Sequence, residues 1–305
     1  MDNDEFVGTP LPPEEPTAEN PPDGAIIDYF LQSPASEVTL EIFDAQHKPV
    51  RRFASEDQNA TKHTSLPVAE RWFPKPAVLA KAPGMHRFVW DLHWGSSGGP
   101  TADEQAEFRN PSGPKAVPGI YEVRLTVDGQ VRSQSLQVIM DPRSSATPRV
   151  LLQQLQLGNQ MFTETLEARR VLAETDSVQK QISGAQGTPG EHGPDLKSAL
   201  AEAQSEIAKI IAGKNNDADP HTGLRSAYTN LASALRVVER GDRATPSQAI
   251  AVFQESSLKT KACIAEWAAF KQTRLPQLNQ RLREAGLPPV AISEIEQEVE
   301  FLISR

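Results

Sequence analysis

The side chains that could do chemistry are few and scattered. Asp91 and His93 stand two residues apart with His86 close by, and a carboxylate beside imidazoles can begin a metal site. In an unbroken strand His86 would face the other way, and no further ligand is suggested. A solvated acid and imidazole are the expectation, and no metal is assigned. Trp72 and Trp94 lie in or beside Pro-rich loops. There a partly exposed ring could stack on a sugar or dock a partner, or else pin a long loop to its domain. These two residues are the candidate ligand or partner contacts. Trp90, between Phe88 and Leu92, reads as core. Cys263 has no His or Asn arranged to activate it and reads as a small buried hydrophobe.

Acidic pairs do not form a catalytic set either. Glycosidase carboxylates face each other across a sugar, whereas Glu14-Glu15 belongs to a polar tail and Glu296 with Glu300 to a solvated helix face. Gly95-Ser96-Ser97-Gly98-Gly99 lacks the Lys and the following helix of a phosphate-cradling loop. No catalytic, cofactor-binding or metal-ligating residue is assigned, and no cofactor is expected.

The elements that would position these side chains change character once along the chain. Tyr121, Val123, Leu125 and Val127 alternate with polar residues, Leu136 and Val138 repeat the alternation, and Asp128-Gly129 supplies the turn of a hairpin. Ala25–Leu31, Val38–Phe43 and Pro49–Phe53 read as earlier strands, with Pro49 at an edge or at a strand start. His86–Trp94 is expected as one continuous strand with Phe88, Trp90 and Leu92 on its core face. Residues 55–84 and 95–118 read as long insertions. About six or seven strands at this spacing predict an antiparallel immunoglobulin-like sandwich.

From Ser145 the period is 3.6. Thr147-Pro148 reads as an N-cap with Pro at the first helical position of a helix running to about Ile182, broken by the stretch 184–193. Further apolar stripes run through Leu196 to Ile210 and Leu224 to Val238. Another carries Ile250, Phe253, Ile264 and Trp267, opened by Thr245-Pro246, kinked or restarted at Pro276 and stopped by Gly286. A short last helix is expected over Ile292–Leu302. The fold class is therefore multidomain, β then α. An acidic Pro-rich tail occupies 1–22, the immunoglobulin-like sandwich 23–143, and an antiparallel helical bundle 144–305.

Net charge is -9, but the acidic residues from Asp2 to Asp23 account for most of it and leave the remainder close to neutral. Nucleic-acid binding, which leans on clustered Lys and Arg, finds no support. No run approaches a membrane span, and the N-terminus lacks the basic and apolar regions of a signal peptide. The chain reads as cytosolic or as a piece of something longer. One cysteine excludes an internal disulfide without fixing the compartment.

The runs NPPDGAIIDYFL, VTLEIFDAQHKPVRRF, RWFPKP, PGMHRFVWDLHW, PGIYEVRLTVDG and QVIMDPR together resemble the C-terminal region of large bacterial sortilin-like proteins with BNR-type repeat propellers, often labelled glycosyl hydrolases. In that family a propeller precedes a Pro-rich linker, an immunoglobulin-like domain similar to that of the flagellar hook-capping protein, and a helical tail that LPQLNQRLREAGLP resembles. No Asp-box of the Ser-x-Asp-x-Gly-x-x-Trp type occurs here, so the resemblance places any hydrolase activity in a propeller outside this sequence. It also implies an exported parent. The expectation is a non-catalytic accessory module that packs on a propeller or holds a protein partner. The alternatives are a carbohydrate-binding module using Trp72 or Trp94, or part of a glycoside hydrolase.

Overall fold

A computed structural model describes residues 22–57, 78–96, 113–187, 193–213 and 223–292. Antiparallel sheet comes first and helix follows: among the described residues no helix precedes 140 and no strand follows 150. The strands are β1 (Ala25–Leu31), β2 (Val38–Phe43), β3 (Pro49–Ala54), β4 (Gly84–Trp90), β5 (Gly95–Ser96), β6 (Gly119–Val127) and β7 (Gln130–Val138). β1 and β4 form a two-stranded sheet, and the others form a five-stranded sheet in the order β5-β3-β2-β6-β7. Every pairing is antiparallel except the short parallel contact of β5 with β3. Pro49 is the first residue of its strand, where its missing N–H costs the ladder nothing.

Alternation decides which side of each sheet is dry. Tyr29, Leu31, Phe88 and Trp90 from the small sheet meet Leu40, Ile42, Phe53, Tyr121 and Val123 from the large one in a single core. Trp90 is fully buried there; its ring meets Tyr121 edge-on at 5.5 Å, and its Nε1–H donates to the His93 carbonyl at 3.1 Å. The β6–β7 hairpin turns on Asp128 and Gly129, both at positive φ (46° and 82°), the conformation of a two-residue primed turn. Asp128 does more than turn the chain. Its Oδ1 accepts the backbone N–H groups of Ser36 and Glu37, both at 2.9 Å, and so fixes the entry to β2.

One expected strand is shorter than its sequence suggests. β4 ends at Trp90, because Leu92 adopts a positive φ of 61° that breaks the alternation. Asp91 to His93 is a turn, closed by the His93 N–H donating to Asp91 Oδ1 at 3.1 Å. The chain then runs beside 114–116, with Trp94 N–H donating to Pro114 O and Ala116 N–H to Leu92 O.

The helices are α1 (Pro148–Gly187), α2 (Pro194–Ala212), α3 (Leu224–Glu239), α4 (Ser247–Ala269) and α5 (Leu275–Glu284). A π-helical turn over Phe270–Arg274 makes α4 and α5 one continuous rod, so the chain restarts without breaking before Pro276. α1 opens as the sequence implies, with the Val150 N–H reaching Thr147 Oγ1, but runs on past Ile182 to Gly187. α4 starts later than Thr245-Pro246 suggests: Pro246 is its N-cap, and no side chain caps it. Gly286, at φ 72°, ends α5, and the Leu287 N–H closes back onto the Leu282 carbonyl at 2.8 Å. The short helix expected over Ile292–Leu302 falls almost wholly outside the described residues.

Compactness divides the described chain inside α1. One unit holds residues 22–158 with Glu239–Ala244, and the other holds Asn159–Val238 and 245–292. The change from sheet to helix and the edge of the first unit therefore differ, because the opening of α1 belongs with the sheets: Leu155 packs against their core.

In the second unit α1 is buried on more than one face through Met161, Phe162, Thr165, Leu166, Ala168, Val171, Leu172, Thr175, Val178 and Ile182. The stripe of α4 is not the one its aliphatic residues suggest. Phe253, Ser256, Thr260, Cys263, Trp267 and Phe270 are buried, while Ile250 and Ile264 are only partly so. Long side chains bridge α4 to α1, with Ser257 donating to Glu164 and Trp267 to Glu174. The segment after α5 is held by paired amides. Asn279 exchanges hydrogen bonds with the Val290 backbone (2.9 and 2.8 Å) and Gln181 with that of Ala291 (2.7 and 2.9 Å).

Candidate functional site

The first unit gathers its ionisable side chains where β4 gives way to the 91–96 segment. Asp91 and His93 come together, as their spacing suggests, but through a turn and not along a strand face. The His93 Nδ1 lies 2.7 Å from the Asp91 carbonyl and 3.9 Å from its carboxylate. Arg51, from β3, hydrogen-bonds the Trp94 carbonyl at 3.1 Å and reaches Asp91 Oδ2 at 4.0 Å. Lys115 bridges to His93 through the backbone. Burial pushes the His93 imidazole below its usual range, the Asp91 charge opposes that, and Lys115 and Arg51 reinforce it. His86 stands apart: its ring tilts against Tyr29 at 5.2 Å, and its Nε2 lies 2.6 Å from the Ala82 carbonyl.

Glu239, at the end of α3, joins this cluster from far along the chain, and sequence reasoning missed it. Burial raises its carboxyl to about 8, Lys115 works against the shift, and the Asp91 charge adds to it. Its Oε1 is buried without a hydrogen-bond partner among the described residues. At neutral pH burial therefore favours the protonated form of the Glu239 carboxyl and the uncharged form of the His93 imidazole. Among the described residues no three acid, thiol or imidazole side chains are grouped so that they could hold a metal ion.

Trp94 belongs to the core. Its ring is 4% exposed, packs in the same cluster as Trp90, and has Lys48 Nζ 5.5 Å from its centroid. It pins the 91–96 segment to the sheets and offers no open face for stacking. Trp72 lies outside the described residues, as do Glu14, Glu15, Glu296 and Glu300. Of the Gly-rich stretch, Gly95 and Ser96 form β5. Cys263 is buried, and burial pushes its thiol up, with the Glu266 charge adding to the effect.

An open apolar surface lies on the outer face of β1 and β4. Register pairs Phe30 with Met85, Asp28 with Arg87, and Ile26 with Val89 on that face. Phe30 and Met85 are 67% and 70% exposed and sit directly opposite each other, and Ile26 is exposed as well. Between them Arg87 grips Asp28 through two hydrogen bonds of 2.9 and 3.0 Å, which lowers the Asp28 carboxyl chiefly by that bonding. A face that water covers ordinarily carries polar residues at alternate positions. Here two of the three cross-strand pairs are apolar.

In the second unit one carboxylate is buried and fully used. Glu174, on α1, accepts from Trp267 Nε1 at 2.8 Å and from Lys271 Nζ at 2.9 Å, and pairs with Arg170 at 3.3 Å. Burial alone would raise its carboxyl, but the Trp267 and Lys271 hydrogen bonds and the Lys271 charge hold it below the usual range. Trp267 stacks on Phe270 with ring centroids 5.3 Å apart. Glu164 lies one cluster earlier on α1, taking a hydrogen bond from Ser257 and an ion pair from Lys261, both at 3.0 Å. These contacts join α1 to α4 and to the turn that follows it. The one sequence signal for Glu174 is its place between Val171 and Val178, on the buried stripe of α1.

Comparison with protein-family models, curated proteins and solved structures gives no match to this chain.

Proposed function

We propose that this chain is a non-catalytic interaction module, an immunoglobulin-like sandwich followed by an antiparallel helical bundle, similar to the C-terminal region of bacterial sortilin-like propeller proteins. In this reading it packs on a propeller or holds another protein partner through the outer face of β1 and β4. The observation that carries the reading is the Phe30–Met85 pair, two large apolar side chains facing each other across strands and mostly exposed. Apolar pairs on either side of a fixed ion pair suit a protein surface: the apolar groups supply desolvation energy and Asp28–Arg87, between them, sets register.

The test is a titration of the purified chain with a BNR-type propeller domain from a bacterial sortilin-like protein, followed by calorimetry. Binding is expected in the parent chain and is expected to weaken at least about tenfold in Phe30→Ser/Met85→Ser, the loss of one hot-spot pair. No heat of binding at concentrations up to about 100 μM, a free-energy threshold near 5.5 kcal/mol, would count against it.

The carbohydrate-binding alternative asks for an exposed flat ring. Trp94 does not present one, which leaves Trp72 as its remaining support. For the hydrolase alternative the carboxyls to examine are Asp91 and Glu239. The purified chain is expected to leave aryl-glycosides and sialosides intact, and turnover abolished by Glu239→Gln or Asp91→Asn would reverse that.

A further inference from the structure

The last strand of the five-stranded sheet presents an open edge. Val127 and Gln130 flank a two-residue turn, so they exchange both backbone hydrogen bonds. Every second pair does the same: Leu125 with Arg132, Val123 with Gln134, Tyr121 with Leu136. The even-numbered residues of β7 therefore spend their N–H and C=O groups on β6. The backbone groups of Val131, Ser133, Ser135 and Gln137 point the other way, and none of them has a partner among the described residues.

This edge lacks the usual protections. Its register with β6 is unbroken over the whole strand, so no bulge twists it away. It contains no Pro and no Lys, and Arg132 is its one charge. Val131 is 53% exposed, and every β7 residue from Gln130 to Ser135 is solvent-exposed. The opposite edge of the sheet is handled differently, since β5 covers part of β3. A long, regular, weakly charged edge is a template for another strand.

We propose that β7 pairs with β7 of a second copy of this chain, antiparallel, about a two-fold axis through Gln134, making one continuous sheet across a homodimer. The register follows from the pattern of free groups. With Gln134 opposite Gln134, Ser133 meets Ser135 and Val131 meets Gln137. Every free backbone group of those four residues then finds a partner on the other copy. No like charges meet: Arg132 lies opposite Leu136, about 13 Å along the strand from the Arg132 of the second copy at about 3.3–3.4 Å per residue. The isologous arrangement uses the β7 edge of both copies and so closes after two chains. This inference goes beyond the interaction role proposed above and uses a different surface.

Sedimentation equilibrium of the full chain over about 1 to 100 μM tests it. The parent is expected to associate to a dimer. Ser133→Lys/Ser135→Lys places lysines opposite lysines and is expected to raise the dimer Kd at least about tenfold. Ser133→Glu/Ser135→Lys places opposite charges in the same two pairs and is expected to dimerise at least as tightly as the parent. Within each chain the new carboxylate at position 133 stands opposite Arg124 and the new ammonium at position 135 opposite Glu122, so the fold of this variant is not threatened. As a second measurement, Gln134→Cys falls on the axis at a pair that is not hydrogen-bonded, and mild oxidation is expected to give a covalent dimer, whereas Arg132→Cys is not. The native thiol, Cys263, is buried and serves as the internal control. A parent chain that stays monomeric to about 100 μM, a lysine variant that dimerises like the parent, or equal crosslinking at 132 and 134 would overturn the proposal.

Discussion

Trp267 Nε1 donates a 2.8 Å hydrogen bond to Glu174 Oε2, tying α4 to the middle of α1 across 93 positions of sequence. Lys271, one turn further on, donates to the same oxygen at 2.9 Å. Trp267→Phe keeps an aromatic ring but loses the donor and part of the buried volume, so it is expected to cost at least about 1.5 to 3 kcal/mol in denaturant melts, the range for a hydrogen bond to a charged group. Trp267→Ala adds a cavity and is expected to cost about 3 to 5 kcal/mol. A loss below about 0.5 kcal/mol in Trp267→Phe would mean that the hydrogen bond contributes nothing. Since the Glu174 carboxyl is lowered in the folded chain, its share is present above the ordinary glutamate range and disappears as pH falls through the lowered value.

Glu239 gives the opposite pH dependence. Its ordinary value is 4.5 and its folded value about 8, so between these the folded chain binds more protons than the unfolded chain, and stability falls as pH rises through that window. Glu239→Gln removes the titrating group. The variant is expected to match the parent near pH 4.5 and to exceed it by about 1 kcal/mol or more at pH 8, since each tenfold change in proton affinity is worth about 1.4 kcal/mol. Melts at the two pH values decide the matter, and parallel curves would show that Glu239 is not held protonated.

Asp128 holds a positive φ and accepts two backbone N–H groups, so it should be sensitive in two separable ways. Asp128→Asn keeps an acceptor and tolerates the conformation, and is expected to lose less than about 1 kcal/mol in denaturant melts. Asp128→Ala gives up both and is expected to lose about 2 to 3 kcal/mol, combining left-handed strain with the lost hydrogen bonds.

Trp90 fills the space between the sheets, and Trp90→Ala is expected to cost about 3 to 5 kcal/mol by chemical denaturation. A loss below about 1 kcal/mol would be incompatible with full burial.

Local chemistry explains which parts of this architecture were legible in the sequence. β1, β2 and the β6–β7 hairpin carry their own alternation and turn residues, so their ranges follow from sequence alone. β4 misled because Leu92 continues an apolar alternation while adopting a backbone conformation that leucine ordinarily avoids. The stripe of α4 misled for a different reason. Its buried face includes Ser256, Thr260 and Cys263, small residues that a search for large aliphatic side chains passes over. Glu239 had no local signal at all. Its environment is made by Asp91 and Lys115, more than a hundred positions away, and only the folded chain brings them together. The immunoglobulin-like and bundle readings rest on strand spacing, helical stripes and the resemblance.

The π-helical turn gives the α4–α5 rod a property that neither helix has alone. Buried positions on α4 recur at three or four residues up to Trp267 and Phe270, and then the next one is Leu275, a step of five. In an uninterrupted α-helix five residues carry a side chain about 140° past its starting direction, at about 100° per residue. The wider turn absorbs that excess, and Leu278 and Leu282 stay inward while Arg274 reaches Glu202 and Glu206 on α2 at 3.1 and 2.9 Å. The turn works as a phase corrector. Length, more than residue identity, is the constrained quantity between Phe270 and Leu275: substitutions there act locally, whereas deletion of one residue would rotate everything downstream by about a quarter of a revolution and carry the leucines of α5 out to water.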